Sequence, residues 1–165
     1  METPEEKKLN IRLANRKDLG AVDKLLCQVL ELHHKGRPDL FKTDTKKYTD
    51  EQLMHMLEEH ENRPILVAED TSGNLLGYAF CIFQVHPHDN ILTDIKTLYI
   101  DDLCVDETTR GKHVGATLYH AVLDFARKNG CYNVTLNVWT CNESAMRFYE
   151  RMGLKAQKIG MEQIL

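Results

Sequence analysis

A chain of 165 residues has the length of one domain with a single substantial core. Its residues are 42% apolar and 28% charged with a net charge of -4, values ordinary for a globular fold, and without a long basic tract they argue against a nucleic-acid partner. No stretch approaches the ~20 apolar residues of a membrane span, the opening METPEEKKLN has no apolar signal segment, and the expected setting is cytoplasmic with no membrane partner.

A short strand is predicted over Ile11 to Ala14, after which Asp18 is expected to cap a helix whose Val22, Leu25, Leu26, Val29 and Leu30 recur at helical spacing. Gly36 and Pro38 break that helix within HHKGRPDLFK. Thr49 caps a second, short helix to about His60, with Leu53, Met56 and Leu57 on one face. Beyond Pro64, ILVAED and LLGYAFCIFQVH are strand-like runs joined by TSGN, a turn that closes an antiparallel hairpin. The histidines of the polar loop HPHDN read as surface residues, and without further spaced ligands no metal is expected.

LYIDDLCV is the fourth expected strand and YNVTLNVW the fifth, with the helix GATLYHAVLDFARKNG between them. A strand, helix and strand in that order imply a parallel pair. A last helix starts at Asn142 and stops at Gly153, and QKIGMEQIL reads as a closing strand that would support a homodimer. The expected fold class is mixed α/β, one domain over residues 9–165 behind a tail of residues 1–8. The five cysteines, Cys27, Cys81, Cys104, Cys131 and Cys141, form no C-x-x-C pair and read as buried thiols rather than a disulfide framework or zinc site.

The segment TRGKHVGA stands between an apolar strand and a helix. Backbone N–H groups at a helix start are unpaired and carry the positive end of the dipole, and Arg110 and Lys112 add charge, so a phosphate-like anion fits. A solvated basic turn fits the same residues. Neither a Walker loop nor G-x-G-x-x-G is present.

This segment resembles the R/Q-x-x-G-x-G/A signature of the GNAT superfamily of N-acetyltransferases, with Arg110 at its first position, Gly115 at its last, and His113 where glycine is usual. NVWTCNESAMRFYERMGLK resembles the second cofactor motif of that family, N-x-x-A-x-x-F-Y-x-x-x-G-[FL], and the expected order of elements from Ile11 to Leu165 matches as well. The resemblance implies a central mixed sheet whose fourth and fifth strands splay apart, and acetyl-CoA as cosubstrate. It implies that Arg110, Gly111, Lys112, His113, Val114, Gly115 and Ala116 hold the pyrophosphate. Backbone groups of Leu103, Cys104 and Val105 would hold the pantetheine arm, and Asn142, Ala145 and Phe148 would complete the cofactor site.

The same resemblance makes Tyr149 the acid that protonates the departing thiolate; without the motif it reads as an aromatic core anchor. Asn142 doubles as a helix cap. Asp101 and Asp102 are adjacent in an apolar strand, so alternation sends them to opposite faces, and neither is cheap to bury. Asp101 aligns with an acidic residue of polyamine-acetylating relatives, as a base or water-positioner, and a structural or substrate-anchoring role is equally open. Asp102 is assigned to the acceptor. Arg37, Asp39 and Phe41 either wall the acceptor site or form a plain connector. Cys104 has no partner to activate it and is not a nucleophile.

The function expected is transfer of an acetyl group from acetyl-CoA to a primary amine by direct attack in a ternary complex. The acidic pair favours a small, cationic, polyamine-like acceptor. A protein N-terminus or lysine is the alternative acceptor, and a non-catalytic acyl-CoA-binding module the alternative class.

Overall fold

The computed structural model describes residues 8–165, so the tail expected over residues 1–8 lies, but for Lys8, outside the described residues. Five strands form one sheet in the order β1 (Asn10–Leu13), β2 (Ile65–Glu69), β3 (Leu75–Gln84), β4 (Thr97–Val105) and β5 (Asn133–Leu136). The first four pair antiparallel and β4 pairs with β5 in parallel, as the helix between them requires. Helices α1 (Leu19–Gly36) and α2 (Asp50–Glu58) cover one face, and α3 (Val114–Lys128) and α4 (Glu143–Arg151) pack on the other side of the molecule.

Two buried clusters result. One joins Val22, Leu25 and Leu26 of α1 to Leu53 and Leu57 of α2, with Val67, Tyr78 and Phe80 from the sheet. The other joins Leu118, Tyr119, Val122 and Ala126 of α3 to Leu98 and Ile100. The helical spacing read from the sequence thus faces the sheet from both sides.

Several expectations need correction. Asp18 does not cap α1 with its side chain. Asn15 caps the preceding turn, while the Asp18 carboxylate accepts from the Asn15 N–H at 2.8 Å and from Arg12 at 2.8 and 2.9 Å. Arg12 also reaches Glu69, tying the start of α1 to β1 and β2. The fifth strand is half the length expected. Two of the cysteines expected to be buried, Cys27 and Cys141, are exposed, and Cys131 is half-buried.

The closing strand expected over Gln157–Leu165 is not formed. Lys155 to Leu165 run exposed, with Glu162 bound to Arg37 at 2.6 Å. Gly160 interrupts the run, and the apolar spacing changes from two residues (Ile159, Met161) to three (Met161, Ile164), so no single strand face collects them.

Candidate active site

The floor of the site is a fault in the β3–β4 ladder. Phe80 faces Asp102 whereas Cys81 faces Ile100, which leaves Asp101 as the extra residue of a β-bulge. The bulge suspends the strict alternation that would have separated the two carboxylates. Both now approach the same ammonium: Nζ of Lys47 lies 3.8 Å from Oδ2 of Asp101 and 3.8 Å from Oδ2 of Asp102.

The two carboxylates differ in surroundings. Asp101 keeps 34% of its side chain exposed and Asp102 only 11%. The hydroxyl of Tyr78, itself buried in the first core cluster, donates to Oδ2 of Asp102 at 2.9 Å. Burial pushes the Asp102 carboxyl above the ordinary carboxylate range, against the pull of Lys47 and the Tyr78 hydroxyl.

Above this floor lies a cleft of about 300 Å³, walled by Leu26, Val29, Leu30 and His33 of α1, by Phe41 and Lys47 from the segment before α2, and by Trp139 after β5. Phe41 stands between two rings, 4.9 Å from His33 and 5.2 Å edge-on from Trp139. Burial lowers the pKa of His33, leaving the imidazole neutral near physiological pH. Of the three connector residues that would wall an acceptor site or form a plain connector, Phe41 lines this cleft. Arg37 and Asp39 pair with each other at 2.7 and 2.9 Å, and Arg37 reaches Glu162.

Tyr149 enters from α4, whose first turn is capped by Asn142 accepting from the Ala145 N–H at 3.2 Å. The ring is held by Phe148 at 5.2 Å and Tyr119 at 6.4 Å. Burial raises the pKa of the phenol, and the nearby Asp102 and Cys104 raise it further, so the hydroxyl keeps its proton at neutral pH. It has no hydrogen-bond partner among the described residues. The Cys104 thiol donates to the Leu25 carbonyl, and burial pushes its pKa up to about 12, so it stays protonated and unreactive.

β4 pairs with β5 only from Thr97 to Ile100. Asp101 to Val105 therefore have no β5 partner, which is the splay expected. The strand then leads into the basic loop, where Gly111 has φ 82° and His113 has φ 60°. His113 is the residue preceding α3 and makes no side-chain capping bond. The backbone N–H groups of Gly111, His113, Val114, Gly115 and Ala116 find no acceptor among the described residues, which leaves five free donors in the loop and first turn of α3. Gly115 is closely packed: a Cβ there would stand 3.4 Å from the Phe148 ring and 3.5 Å from Val105.

Lys47, His33, Tyr78 and Trp139 were not singled out by the sequence. Trp139 is the only tryptophan and closes the run expected as the fifth strand, a usable signal. Lys47 sits in a connector with no periodicity, and nothing local marks it.

The chain matches the family model described as "Acetyltransferase (GNAT) family" over residues 27–154. It is 29% identical over 147 residues to the putative phosphinothricin acetyltransferase YwnH of Bacillus subtilis, covering 88% of this chain and 83% of that one. It is 27% identical over 124 residues to glucosamine 6-phosphate N-acetyltransferase of Arabidopsis thaliana, covering 72% and 79%. Among solved structures, a mutant of the BH1408 protein of Bacillus halodurans superposes with a TM-score of 0.89 at 30% identity, over 94% of this chain and 99% of that one. The splayed β4, the donor-rich loop before α3 and these matches agree, and the chain belongs to the acetyltransferase (GNAT) family.

Proposed function

We propose that this acetyl-CoA-dependent N-acetyltransferase acetylates the primary amine of a small molecule by direct attack in a ternary complex. What supports the reading is that Asp102 lines the cleft with its affinity for a proton raised, while Tyr149, close enough to feel the Asp102 charge, keeps its own proton. Acetyl-CoA supplies the activated thioester. The loop donors of Gly111 to Ala116, with Arg110 and Lys112, suit its pyrophosphate. The edge of β4 from Leu103 to Val105 that β5 leaves open suits the pantetheine arm, and Phe148 with the capped start of α4 completes the wall.

On this reading Asp102 takes the base role that the family resemblance offered to Asp101 alongside an anchoring one. A carboxylate that is nearly buried and shifted upward accepts a proton more readily than an exposed one. It removes a proton from the acceptor's ammonium, and the neutral amine so formed attacks the carbonyl carbon of the thioester. As the tetrahedral intermediate collapses and the carbon–sulfur bond breaks, Tyr149 gives its phenolic proton to the departing sulfur, and the second proton shed by the nitrogen restores the phenol. Asp101, more exposed, anchors the ammonium.

Small-molecule acceptors are supported by the names of the relatives, which include a streptothricin acetyltransferase of Streptomyces lavendulae, 32% identical over 87 residues. The cleft's two aromatic walls and modest volume suit an acceptor of that size better than a protein chain.

Thiol release from acetyl-CoA, measured with a panel of primary amines, tests the reading. Amine-dependent release is expected, and Tyr149→Phe is expected to lower kcat by roughly 10²- to 10⁴-fold while the Kd for acetyl-CoA stays within about twofold. Binding of acetyl-CoA without release by any amine would instead make the chain an acyl-CoA-binding module. Full turnover in the variant would return Tyr149 to a packing residue.

A further inference from the structure

The acidic pair at the cleft floor is not open to a cation on its own terms. Lys47 stands over it, 3.8 Å from each carboxylate, far enough that it attracts both and closes a hydrogen bond to neither. Its side chain is 42% exposed and lines the cleft. The adjacent Lys46 is engaged elsewhere, with Asp23 and Asp50 at 3.1 and 2.6 Å. Lys46 lines the cleft as well, but with its charge already paired in that way, and His33 is neutral.

The cleft therefore offers an acceptor two carboxylates with one ammonium held 3.8 Å from each. When its own ammonium settles between Asp101 and Asp102, those carboxylates are shared and the charge of Lys47 is left in part uncompensated. An acceptor with a second cation would bring like charge against Lys47 in a half-desolvated cleft. One with an acidic group next to its amine would complete the array, as opposite charges alternate across the site.

We infer that the acceptor is an amine bearing a neighbouring carboxylate or phosphate, with Asp101 and Asp102 receiving its nitrogen and Lys47 its acidic group. The inference rests on the acetyltransferase reading of this cleft and reverses the polyamine-like preference drawn from the acidic pair alone. Lys47 is on this account a specificity residue for the acceptor, and takes no part in holding acetyl-CoA.

The test compares matched acceptors that differ only in the acidic group: norleucine with pentylamine, and glucosamine 6-phosphate with glucosamine, with putrescine as the dication. In the wild-type protein at least one acidic member is expected to exceed its plain partner in kcat/KM by about tenfold or more, and to exceed putrescine. Lys47→Met keeps the apolar stem and removes the charge. It should collapse the ratio through a higher KM for the acidic acceptor, while Lys47→Arg preserves the preference and the Kd for acetyl-CoA is the same in all three proteins.

A wild-type preference for putrescine or for the plain amines overturns the inference while leaving the acetyltransferase reading intact. A preference for the acidic member that survives in Lys47→Met overturns the role of Lys47. Absence of thiol release with every amine is a failure of the acetyltransferase reading instead. Thermal melts of both variants separate a lost charge from a lost fold.

Discussion

Asp102 sets stability against chemistry. Its carboxyl is nearly buried, and folding raises its pKa. The folded state therefore holds this proton more tightly than the unfolded chain does, so the group's contribution is fully present below the ordinary Asp range and is lost as pH rises through the folded value. Asp102→Asn removes that loss and leaves the Tyr78 hydroxyl an oxygen to donate to. We expect the variant to melt higher than wild type near pH 7, with the gain shrinking toward about pH 4. Its turnover should fall by roughly 10²-fold or more. A variant that melts lower at neutral pH would mean that Lys47 and Tyr78 hold the charge more strongly than burial opposes it. His113 poses the same conflict on the backbone: its φ of 60° is left-handed, and its side chain makes no capping bond in return. His113→Gly should gain up to ~1 kcal/mol of stability. Since the loop offers backbone N–H groups, acetyl-CoA should bind the variant no worse, as a calorimetric titration would show.

At the scale of elements, the site depends on how closely β3 and β4 approach. Gly77 faces Val105 in the ladder, and a Cβ built on it would lie 2.8 Å from the carbonyl oxygen of Cys104, which as backbone cannot swing aside. Gly77→Ala should therefore cost roughly 1–3 kcal/mol in chemical denaturation, the range for overpacking. Because the displaced carbonyl belongs to Cys104, within the open stretch of β4, acetyl-CoA affinity should fall with it. This close approach also marks where sequence reading stops. The strands, the helices and the parallel β4–β5 pair follow from local period and from the crossover, and the splay and the loop followed from motif resemblance. The bulge at Asp101 depends on a register between two strands that no period within either one encodes, so alternation placed the carboxylates on opposite faces. Lys47 escaped for a related reason: the segment from Arg37 to Thr49 has no regular structure, and its course over the cleft is fixed by tertiary contacts such as Phe41 against His33 and Trp139.

Across the whole molecule, the sheet separates two cores and the site opens where they meet the splayed end of β4. What lies beyond α4 adds little to either. Gly153 ends that helix with φ 92°, and Leu154 still packs against the second cluster. Every residue from Lys155 onward is exposed, with Ile159 at 77% and Met161 at 88%. Burial of apolar surface is what makes a segment count toward stability, and these side chains bury almost none within the chain. The Arg37–Glu162 pair is exposed on its acidic side and leaves Arg37 still bound to Asp39 when Glu162 is removed. A chain ending at Ala156 is therefore expected to keep both the melting temperature and the acetyl-CoA affinity of the full chain, as differential scanning calorimetry and a ligand titration would record. A loss as large as that of Gly77→Ala would mean instead that Ile159, Met161, Ile164 and Leu165 are buried against something a single chain does not provide. Velocity sedimentation of the full and shortened chains would then distinguish a second copy from any other partner.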